Sequence, residues 1–417
     1  MARILFGCNL LDIRGKKGRI EESMNTSTNF EFDVPTRTLF GAGSLKRLHE
    51  QSLPGRKALL VISNGKSTRV NGYLDRTLEQ LEKAGVQSVI FDKVEPNPLK
   101  DTVMAGGACA REHGCDFIVA LGGGSVMDAA KAIAIVATND GDLWDYVLFG
   151  TGKGMPVTQT PLPIVAITTT AGTGSETDGG GVITNPETHE KTGVFDGTRL
   201  FPRLAIVDPE LMCSVPPKFT AYQGFDALFH STEGYISRKA NLISDMVAIT
   251  AIENVGRYLA ATVANGGDLA SRERVAFGNW LSGVQMVVGT CTSEHSLEHA
   301  LSAYHQELPH GAGLIMISRA YYTHFINKGC CPERFVRMAK ALGMEDATQP
   351  MDFITALTRL QEACGVADLR MSDYGITSDE FENMARNAVS SMGFLFPADP
   401  AELSIEDCVA IYQASYK

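Results

Sequence analysis

The chain has 417 residues, of which 44% are hydrophobic and 20% are charged, so disordered, collagen-like and low-complexity classes are excluded. The formal net charge of -11 argues against nucleic acid or an anionic membrane surface as a partner. At roughly 150 residues per domain, the length predicts two or three domains. The nine cysteines form no CxxC pair, which indicates reduced thiols in a cytoplasmic protein.

Residues 1–23 are predicted to form a loose N-terminal tail. Their apolar run is interrupted by Asn9 and followed by Asp12, so it is too short for a secretory signal. No segment of the chain approaches the ~18 consecutive apolar residues that a membrane helix needs. We expect a folded domain to begin near Met24, with a first strand at residues 30–34.

From about residue 36, predicted strands alternate with predicted helices, which favours a parallel sheet with right-handed crossovers. The predicted strands are residues 57–63, 88–91, 117–121, 163–168 and 204–207. The predicted helices are residues 74–84, 101–113 and 125–137, with a short helix after the turn that begins at Phe40.

Beyond residue 208 the periodicity is helical, and no convincing strand follows residue 215. Predicted helices include residues 221–236, 241–263, 271–288 and 332–342. The sequence therefore predicts an α/β domain with a parallel sheet over residues 24–207 and an all-α domain over residues 208–417.

A glycine-rich turn directly follows one predicted strand and directly precedes a helix. Its residues are Gly122, Gly123, Gly124 and Ser125. Glycines let backbone N–H groups approach an anion, and the helix dipole favours phosphate at this point. Asp128 lies in the first turn of the helix, where an acid suits the dipole. The turn predicts phosphate binding; the alternative is a tight turn that only lets the helix pack.

A loop of small and hydroxyl residues follows another strand, over residues 168–176. The hydroxyls that are candidates for binding phosphate or ribose are those of Thr169, Thr170, Thr173 and Ser175. Such loops are often only solvated turns, but ligands collect at the carboxyl ends of parallel strands. We therefore assign this loop to the same binding site as the glycine-rich turn.

Four of the nine histidines fall between His295 and His310, which composition does not explain. Asp226 and His230 are four residues apart in a predicted helix, and His295 and His299 repeat that spacing, so each pair shares a helix face. One carboxylate and three imidazoles suit Fe(II) or Zn(II) and leave a position for a substrate oxygen. The set predicts a metal site.

These motifs together resemble the iron-containing alcohol dehydrogenase family, the group III alcohol dehydrogenases, over roughly residues 29–417. The segments that carry the resemblance are FGAGSLKRL from Phe40, EPNP from Glu95, GGGSVMDAAKAIA from Gly122, TTTAGTGSE from Thr168, GFDALFHSTEGYIS from Gly224 and HSLEHALSAYHQELPHG from His295. The resemblance implies a dinucleotide-binding α/β domain, a helical metal-binding domain and an active site in the cleft between them.

The resemblance also implies roles for individual residues. The implied metal ligands are Asp226, His230, His295 and His310. His299 matches the family histidine beside the nicotinamide, and we assign it and Asp226 to catalysis. His295 and His310 stand 15 residues apart, one more than in the family pattern, and we expect residues 306–308 to absorb the difference. This leaves His305 either at the surface or at the edge of the substrate pocket.

The choice between NAD and NADP is a question of charge. An acid after the second strand would bond a ribose hydroxyl and repel a 2'-phosphate. Here the turn is made of Asn64, Gly65, Lys66 and Ser67, and no acid precedes Asp75. We therefore expect NADP rather than NAD, unless this turn contacts no cofactor. Asn97 and Lys191 complete the residues that we assign to cofactor binding.

The expected reaction is reversible hydride transfer between NAD(P)H and a primary alcohol or aldehyde, with His299 relaying a proton. Two alternatives remain open: a dehydroquinate-synthase-like lyase on the same fold, and a non-catalytic nucleotide-binding protein. Relatives imply a homodimer. The identity of the alcohol and of the metal does not follow from the sequence.

Overall fold

The structure is a computed structural model that describes residues 26–417. The predicted N-terminal tail, residues 1–23, lies outside the described residues. None of the helices within residues 26–417 is both long enough and apolar enough to cross a lipid bilayer.

The N-terminal part is built on a parallel sheet of six strands in the order β1-β8-β5-β4-β2-β3. The strands of the chain are β1 Arg37–Phe40, β2 Lys57–Ser63, β3 Gln87–Val94, β4 Phe117–Gly122, β5 Ile164–Thr168, β6 Gly180–Asn185, β7 Glu190–Phe195 and β8 Leu204–Val207. The strand order reverses between β2 and β4, and such a switch point forms a crevice at the carboxyl ends of the strands.

Both faces of this sheet are buried, which explains why its central strands have continuous apolar runs. Alternate residues of β2, such as Leu59 and Val61, face one core, and their neighbours Leu60 and Ile62 face the other. Helices cover each face. The helices of this part are α1 Ser67–Val70, α2 Tyr73–Lys83, α3 Lys100–Glu112 and α4 Gly124–Val136.

Residues after Val207 form no strand in the described structure, and helices pack around a second core. These helices are α5 Pro217–Ile236, α6 Leu242–Ala264, α7 Leu269–Val288, α8 Ser293–Tyr304, α9 His310–Asn327, α10 Pro332–Ala341, α11 Asp352–Ala363, α12 Phe381–Met392 and α13 Ile405–Ser415. The predicted fold class is therefore confirmed. Because α5 and α8 are buried almost all round, polar side chains on them must find partners inside the protein.

One predicted strand is wrong, and three strands escaped prediction. Residues 30–34 form no strand, and Phe30 and Phe32 are 45% and 55% exposed. The reason is that no neighbouring strand pairs with them: Ser27, just before, bonds instead to Ala240 and Leu242 beside α6. The strands that the sequence did not reveal are β1 and the antiparallel hairpin β6–β7.

The hairpin β6–β7 connects the two parts of the molecule. The hydroxyl of Thr192 on β7 donates to the carbonyl of Ser391 on α12 at 2.7 Å. The Asn387 side-chain amide donates to the carbonyl of His189 at the hairpin turn, and the ring of His189 stacks on Tyr304 of α8 at 4.9 Å. The hairpin therefore links the N-terminal part to the helices α8 and α12.

Candidate active site

Four polar side chains from three helices converge on one point of the helical part. Asp226 and His230 lie one turn apart on α5. His295 is on α8, and His310 is the first residue of α9. The Oδ1 atom of Asp226 lies 3.6 Å from Nδ1 of His230, and 3.4 Å and 3.5 Å from Nε2 of the other two histidines. The predicted ligand set is brought together, and we call these four residues the ligand cluster.

Two buried glutamates lie behind the ligand cluster. Nδ1 of His295 donates to Glu233 on α5, and Nδ1 of His310 donates to Glu298 on α8. Because the carboxylates accept from Nδ1, the Nε2 atoms of both rings are directed towards Asp226, where they would turn their lone pairs to a bound metal ion in place of a proton, as in carboxylate–histidine–metal arrangements. The remaining oxygen of Glu233 is also bonded, at 2.8 Å from the backbone N–H of Thr292.

The carboxylates make this point favourable for positive charge. Burial raises the pKa of Asp226, but His230 and His310 outweigh burial and hold that pKa well below its usual range. Burial lowers the pKa of His295, but Glu233 and Asp226 outweigh it and raise the pKa to about 10. Burial lowers the pKa of His230 to about 3, so that ring is neutral at neutral pH.

The side chains present fit a divalent metal ion. The ligand atoms of Asp226, His295 and His310 lie within 4.8 Å of one another. Nδ1 of His230 is buried and has no hydrogen-bond partner among the described residues, which is costly unless the atom binds something. One carboxylate oxygen and three imidazole nitrogens are a donor set for Fe(II) or Zn(II).

His299 lies beside the ligand cluster, one turn after His295 on α8. Its ring centroid is 5.2 Å from that of His310 and 6.2 Å from that of His295. Its Nδ1 atom is buried without a partner among residues 26–417. Burial, with Lys191 and His310 nearby, lowers the pKa of His299 well below its usual value, so the ring is neutral. A neutral imidazole offers one donor and one acceptor nitrogen.

The glycine-rich turn and the threonine loop pack against each other at the carboxyl ends of β4 and β5. A Cβ atom on Gly123 would lie 2.9 Å from Cγ2 of Thr170, and one on Gly124 would lie 2.7 Å from Oγ1 of Thr173. Glycine is therefore required here for the loop to approach. Gly123 precedes α4 without a side-chain cap, so the first N–H groups of the helix are available to an anion.

Asp128 and Ser175 of these motifs bond to protein groups. The Asp128 carboxylate accepts from the Ser175 hydroxyl at 2.7 Å and from the backbone N–H of Val182 at 3.0 Å. Lys131 is fully buried and donates to Ser175 at 2.8 Å and to Asp178 at 2.7 Å. The network ties α4, the loop and β6 together, so these side chains position the loop. A direct contact with the cofactor stays a prediction.

Lys191 and Asn97 lie against α8. The Lys191 ammonium donates to Ser302 Oγ at 2.8 Å and to Asn97 Oδ1 at 3.1 Å, and it lies 3.5 Å from Glu298. The Asn97 amide donates to the carbonyl of Gln306 at 3.1 Å. These contacts place both residues next to the helix that carries His295 and His299, behind the ligand cluster.

The turn after β2 is exposed at the switch point of the sheet. The backbone N–H of Asn64 donates to Val94, and Lys66 is exposed immediately before α1. Arg69, the other cation near the turn, pairs with Asp92 at 2.8 Å. Lys66 is therefore better placed than Arg69 to meet a phosphate. Thr169 and Ser125 lie after β5 and at the start of α4, next to this crevice.

His305 lies outside the ligand cluster. Its Nε2 atom is 3.0 Å from Glu380, which precedes α12. The helix α8 ends at Tyr304 and α9 begins at His310, so the longer spacing between the two histidines falls in the connection between these helices. His305 is partly buried and links the end of α8 to Glu380, and it is not part of the ligand cluster.

The sequence reasoning missed Glu233, Glu298 and Lys131. Both glutamates follow a predicted ligand by three residues, which places them near its helix face. The spacing does not reveal these bonds, because each glutamate accepts from a histidine on another helix and not from the ligand three residues before it. Lys131 offered no signal in the sequence either.

Comparison with known proteins decides the family. The sequence model described as iron-containing alcohol dehydrogenase matches residues 35–209. The model of the C-terminal part of the Fe-containing alcohol dehydrogenase family matches residues 220–416. The chain belongs to the iron-containing alcohol dehydrogenase family. The expected resemblance is confirmed.

Several members of this family are similar over nearly their whole length. The 1,3-propanediol dehydrogenase of Klebsiella pneumoniae is 36% identical over 399 residues, covering 93% of this chain and 99% of that protein. The NAD-dependent methanol dehydrogenase of Bacillus methanolicus is 32% identical, covering 91% of this chain and 98% of that protein. An archaeal halo-thermophilic alcohol dehydrogenase from a Red Sea brine pool superposes with a TM-score of 0.88 at 33% identity, covering 94% of this chain and all of that one.

Proposed function

We propose that this iron-containing alcohol dehydrogenase family member transfers a hydride between a nicotinamide dinucleotide and a primary alcohol or aldehyde. The observation that carries the proposal is the ligand cluster with neutral His299 beside it. The switch point of the sheet supplies the crevice for the dinucleotide. The family match and relatives that bear the names of methanol and 1,3-propanediol dehydrogenases support this reaction over the lyase and the non-catalytic alternatives.

Each part of the site has a proposed task. The ligand cluster would hold Fe(II) or Zn(II), which when bound supplies a Lewis acid for the substrate oxygen. Glu233 and Glu298 keep the ring nitrogens of His295 and His310 turned towards the shared point. The burial of these groups excludes water, which strengthens every electrostatic contact made there.

His299 is proposed to move the substrate proton. Its low pKa keeps the ring neutral, so one nitrogen can accept a proton while the other gives one up. Nδ1 is the atom without a protein partner, which leaves it available for this exchange.

The experiment that tests the function is a steady-state panel of primary alcohols and aldehydes with NAD(H) and NADP(H), after loading with Fe(II) or Zn(II). We expect metal-dependent oxidation and reduction, abolished by a chelator and restored by the metal. Absence of nicotinamide-dependent turnover across the panel would contradict the proposal.

We further propose that the cofactor is NADP, because the exposed turn after β2 offers Lys66 and no acid among residues 64–69. A Cβ on Gly65 would meet only the Ser63 hydroxyl at 3.5 Å, so Gly65→Asp is sterically tolerated. A carboxylate there repels a 2'-phosphate, and we expect the preference for NADPH over NADH to fall by about tenfold or more. Gly65→Asn is the matched uncharged control. NADH preferred by the unmodified enzyme would overturn this choice.

A homodimer and a cytoplasmic location are proposals that rest on the family resemblance and on the cysteine pattern. Light scattering of the purified chain measures the first directly. A mass of one chain or of four would contradict the dimer.

A further inference from the structure

Cys291 lies at the edge of the ligand cluster. Its Sγ atom and one ring nitrogen each of His230 and His295 all lie within 4.8 Å of one another. The side chain is buried and packs in an apolar cluster, so it presents a small hydrophobic group next to the place where the substrate oxygen would bind.

Cys291 belongs to an apolar cluster that extends away from the ligands. It packs with Met392 and Leu395, and all three are buried. Met286 and Phe394 pack against this group and remain partly exposed. We call these five residues the apolar cluster. It connects the buried ligand cluster with a partly exposed surface.

Aromatic rings border the outer end of the apolar cluster. Phe394 stacks on Phe149 with ring centroids 4.4 Å apart, and Phe195 meets Phe394 edge-on at 5.9 Å. All three rings are partly exposed, and they come from three separate parts of the chain. We call them the aromatic rim. Three partly exposed rings held together over a buried apolar floor form a surface suited to a hydrocarbon.

Two polar groups that flank this region are directed into the protein. The Thr192 hydroxyl donates to the carbonyl of Ser391 at 2.7 Å. The Asp178 carboxylate accepts from Lys131 at 2.7 Å and from the backbone N–H of Gly180 at 2.8 Å. Because these groups are already bonded, a substrate hydroxyl would gain little from them and would lose its hydrogen bonds to water.

We propose that the apolar cluster and the aromatic rim bind the carbon chain of the substrate, so that the enzyme prefers alcohols and aldehydes with an unbranched aliphatic or aromatic tail over those with a second hydroxyl. This rests on the proposed function, which places the reacting oxygen at the ligand cluster. From there, Cys291 meets the first carbons of the tail, and Phe394 meets its outer end.

The sharpest test compares butanal with 3-hydroxypropanal, which has the same number of heavy atoms but ends in a hydroxyl. With the metal-loaded enzyme and saturating NADPH or NADH, we expect kcat/KM to favour butanal on the order of 10- to 100-fold. Along the series from ethanal to hexanal, kcat/KM should rise about fourfold per methylene. Equal or better turnover of 3-hydroxypropanal would overturn the inference.

Two variants of Phe394 test whether the aromatic rim causes the preference for longer carbon chains. Phe394→Ser should lower kcat/KM for hexanal about tenfold and lower it less for ethanal, so that the rise along the series becomes less steep, whereas Phe394→Leu should keep most of the rise. Phe32→Ala, on the exposed segment outside the rim, is the control and should change nothing. A rise along the series that is as steep in folded Phe394→Ser as in the unmodified enzyme would overturn the inference; if this variant does not fold, Phe394→Leu and the unmodified enzyme still test it.

Failure of the inference is distinguishable from failure of the function. If no alcohol or aldehyde is turned over with either nicotinamide, the proposed function fails. If aldehydes are turned over without regard to chain length or terminal hydroxyl, the function stands and only the tail-binding site is refuted.

Discussion

The glycine-rich turn and the ligand cluster differ in the groups that they offer to a ligand: the turn offers backbone N–H groups, and the cluster offers side chains. At the turn, the absence of side chains is what matters, because Gly123 and Gly124 let the threonine loop and the first N–H groups of α4 come close. At the ligand cluster the side chains form the site, and three helices place its four residues. A backbone site needs little beyond a correct turn, whereas a side-chain site needs supporting groups.

The supporting groups of the ligand cluster are charged and buried. Glu233 and Glu298 each bond a histidine of the cluster, and Lys191 lies against Glu298 in turn. A buried charge destabilises the fold unless it is paired, so removing one partner leaves the other as an unpaired buried charge and lowers stability. We therefore expect substitutions in the cluster to have larger effects than substitutions in the turn.

The largest effect is expected for Asp226→Ala, since this carboxylate is within 3.6 Å of a nitrogen of each of the three histidines. We expect metal content to fall below one tenth of that of the unmodified enzyme and kcat to fall on the order of 10³-fold. Metal analysis and steady-state kinetics measure the two effects, with circular dichroism to check folding. Asp75→Ala, at an exposed position of α2, is the control. Full turnover by a metal-free variant would refute the role of the cluster.

The next largest effect is expected at the two glutamates that bond the ligand histidines. Glu233→Gln or Glu298→Gln keeps the shape of the side chain but removes the charge behind a ligand histidine. We expect metal affinity, measured by competition with a chelator, to fall about 10- to 100-fold. Glu253→Gln on the outer side of α6, where the residue pairs with Arg257, should leave it unchanged. Unchanged affinity in both cluster variants would show that the glutamates only fill space.

A smaller effect is expected at the turn. A methyl group on Gly124 would clash with Thr173, so Gly124→Ala must move the threonine loop or the start of α4. We expect cofactor affinity to fall about tenfold and the free energy of unfolding to fall by about 1–3 kcal/mol. Gly267→Ala is the control, because its Cβ would meet only the Asn265 side chain at 3.5 Å. An effect as large as that of Asp226→Ala would break the comparison between the two regions.

The two regions also differ in what the sequence reveals. The strands β2, β4 and β5 are buried on both faces, so their apolar runs predicted them to within one residue at each end. The spacing of Asp226, His230, His295 and His299 placed each pair on one helix face. Both signals are local, because a few neighbouring residues carry them.

What the sequence did not reveal depends on distant contacts. The hairpin β6–β7 is rich in glycine and polar residues, and it is held by bonds to α12 such as that of Thr192. Residues 30–34 resemble a strand, but they lack a partner strand. In the sequence, Glu233 and Glu298 look like ordinary helix carboxylates; only the fold brings each against a histidine ring on another helix. Long-range packing decides all three cases.

The last prediction concerns stability rather than binding, at a buried acid in the threonine loop. Glu176 accepts a hydrogen bond from the Asn279 amide at 2.9 Å, and its other oxygen is buried without a partner among residues 26–417. Burial raises its pKa to about 7 from an ordinary 4.5. Because of this raised pKa, the carboxyl keeps its proton in the folded enzyme below about pH 7.

The sign of the pH effect follows from the raised pKa. Below pH 4.5 the side chain is protonated in both the folded and the unfolded chain, so ionisation costs nothing. As the pH rises to about 7, the unfolded chain loses the proton while the folded chain keeps it, and stability falls by up to about 3 kcal/mol before levelling off. Glu176→Gln keeps an oxygen for Asn279 and cannot ionise. Urea unfolding from pH 5 to 8.5 should therefore show a higher free energy of unfolding for the variant than for the unmodified enzyme. The difference should widen up to about pH 7, because only the unmodified side chain can ionise. A gap that stays constant with pH would mean that a charge is accommodated in the loop, as it is in the ligand cluster.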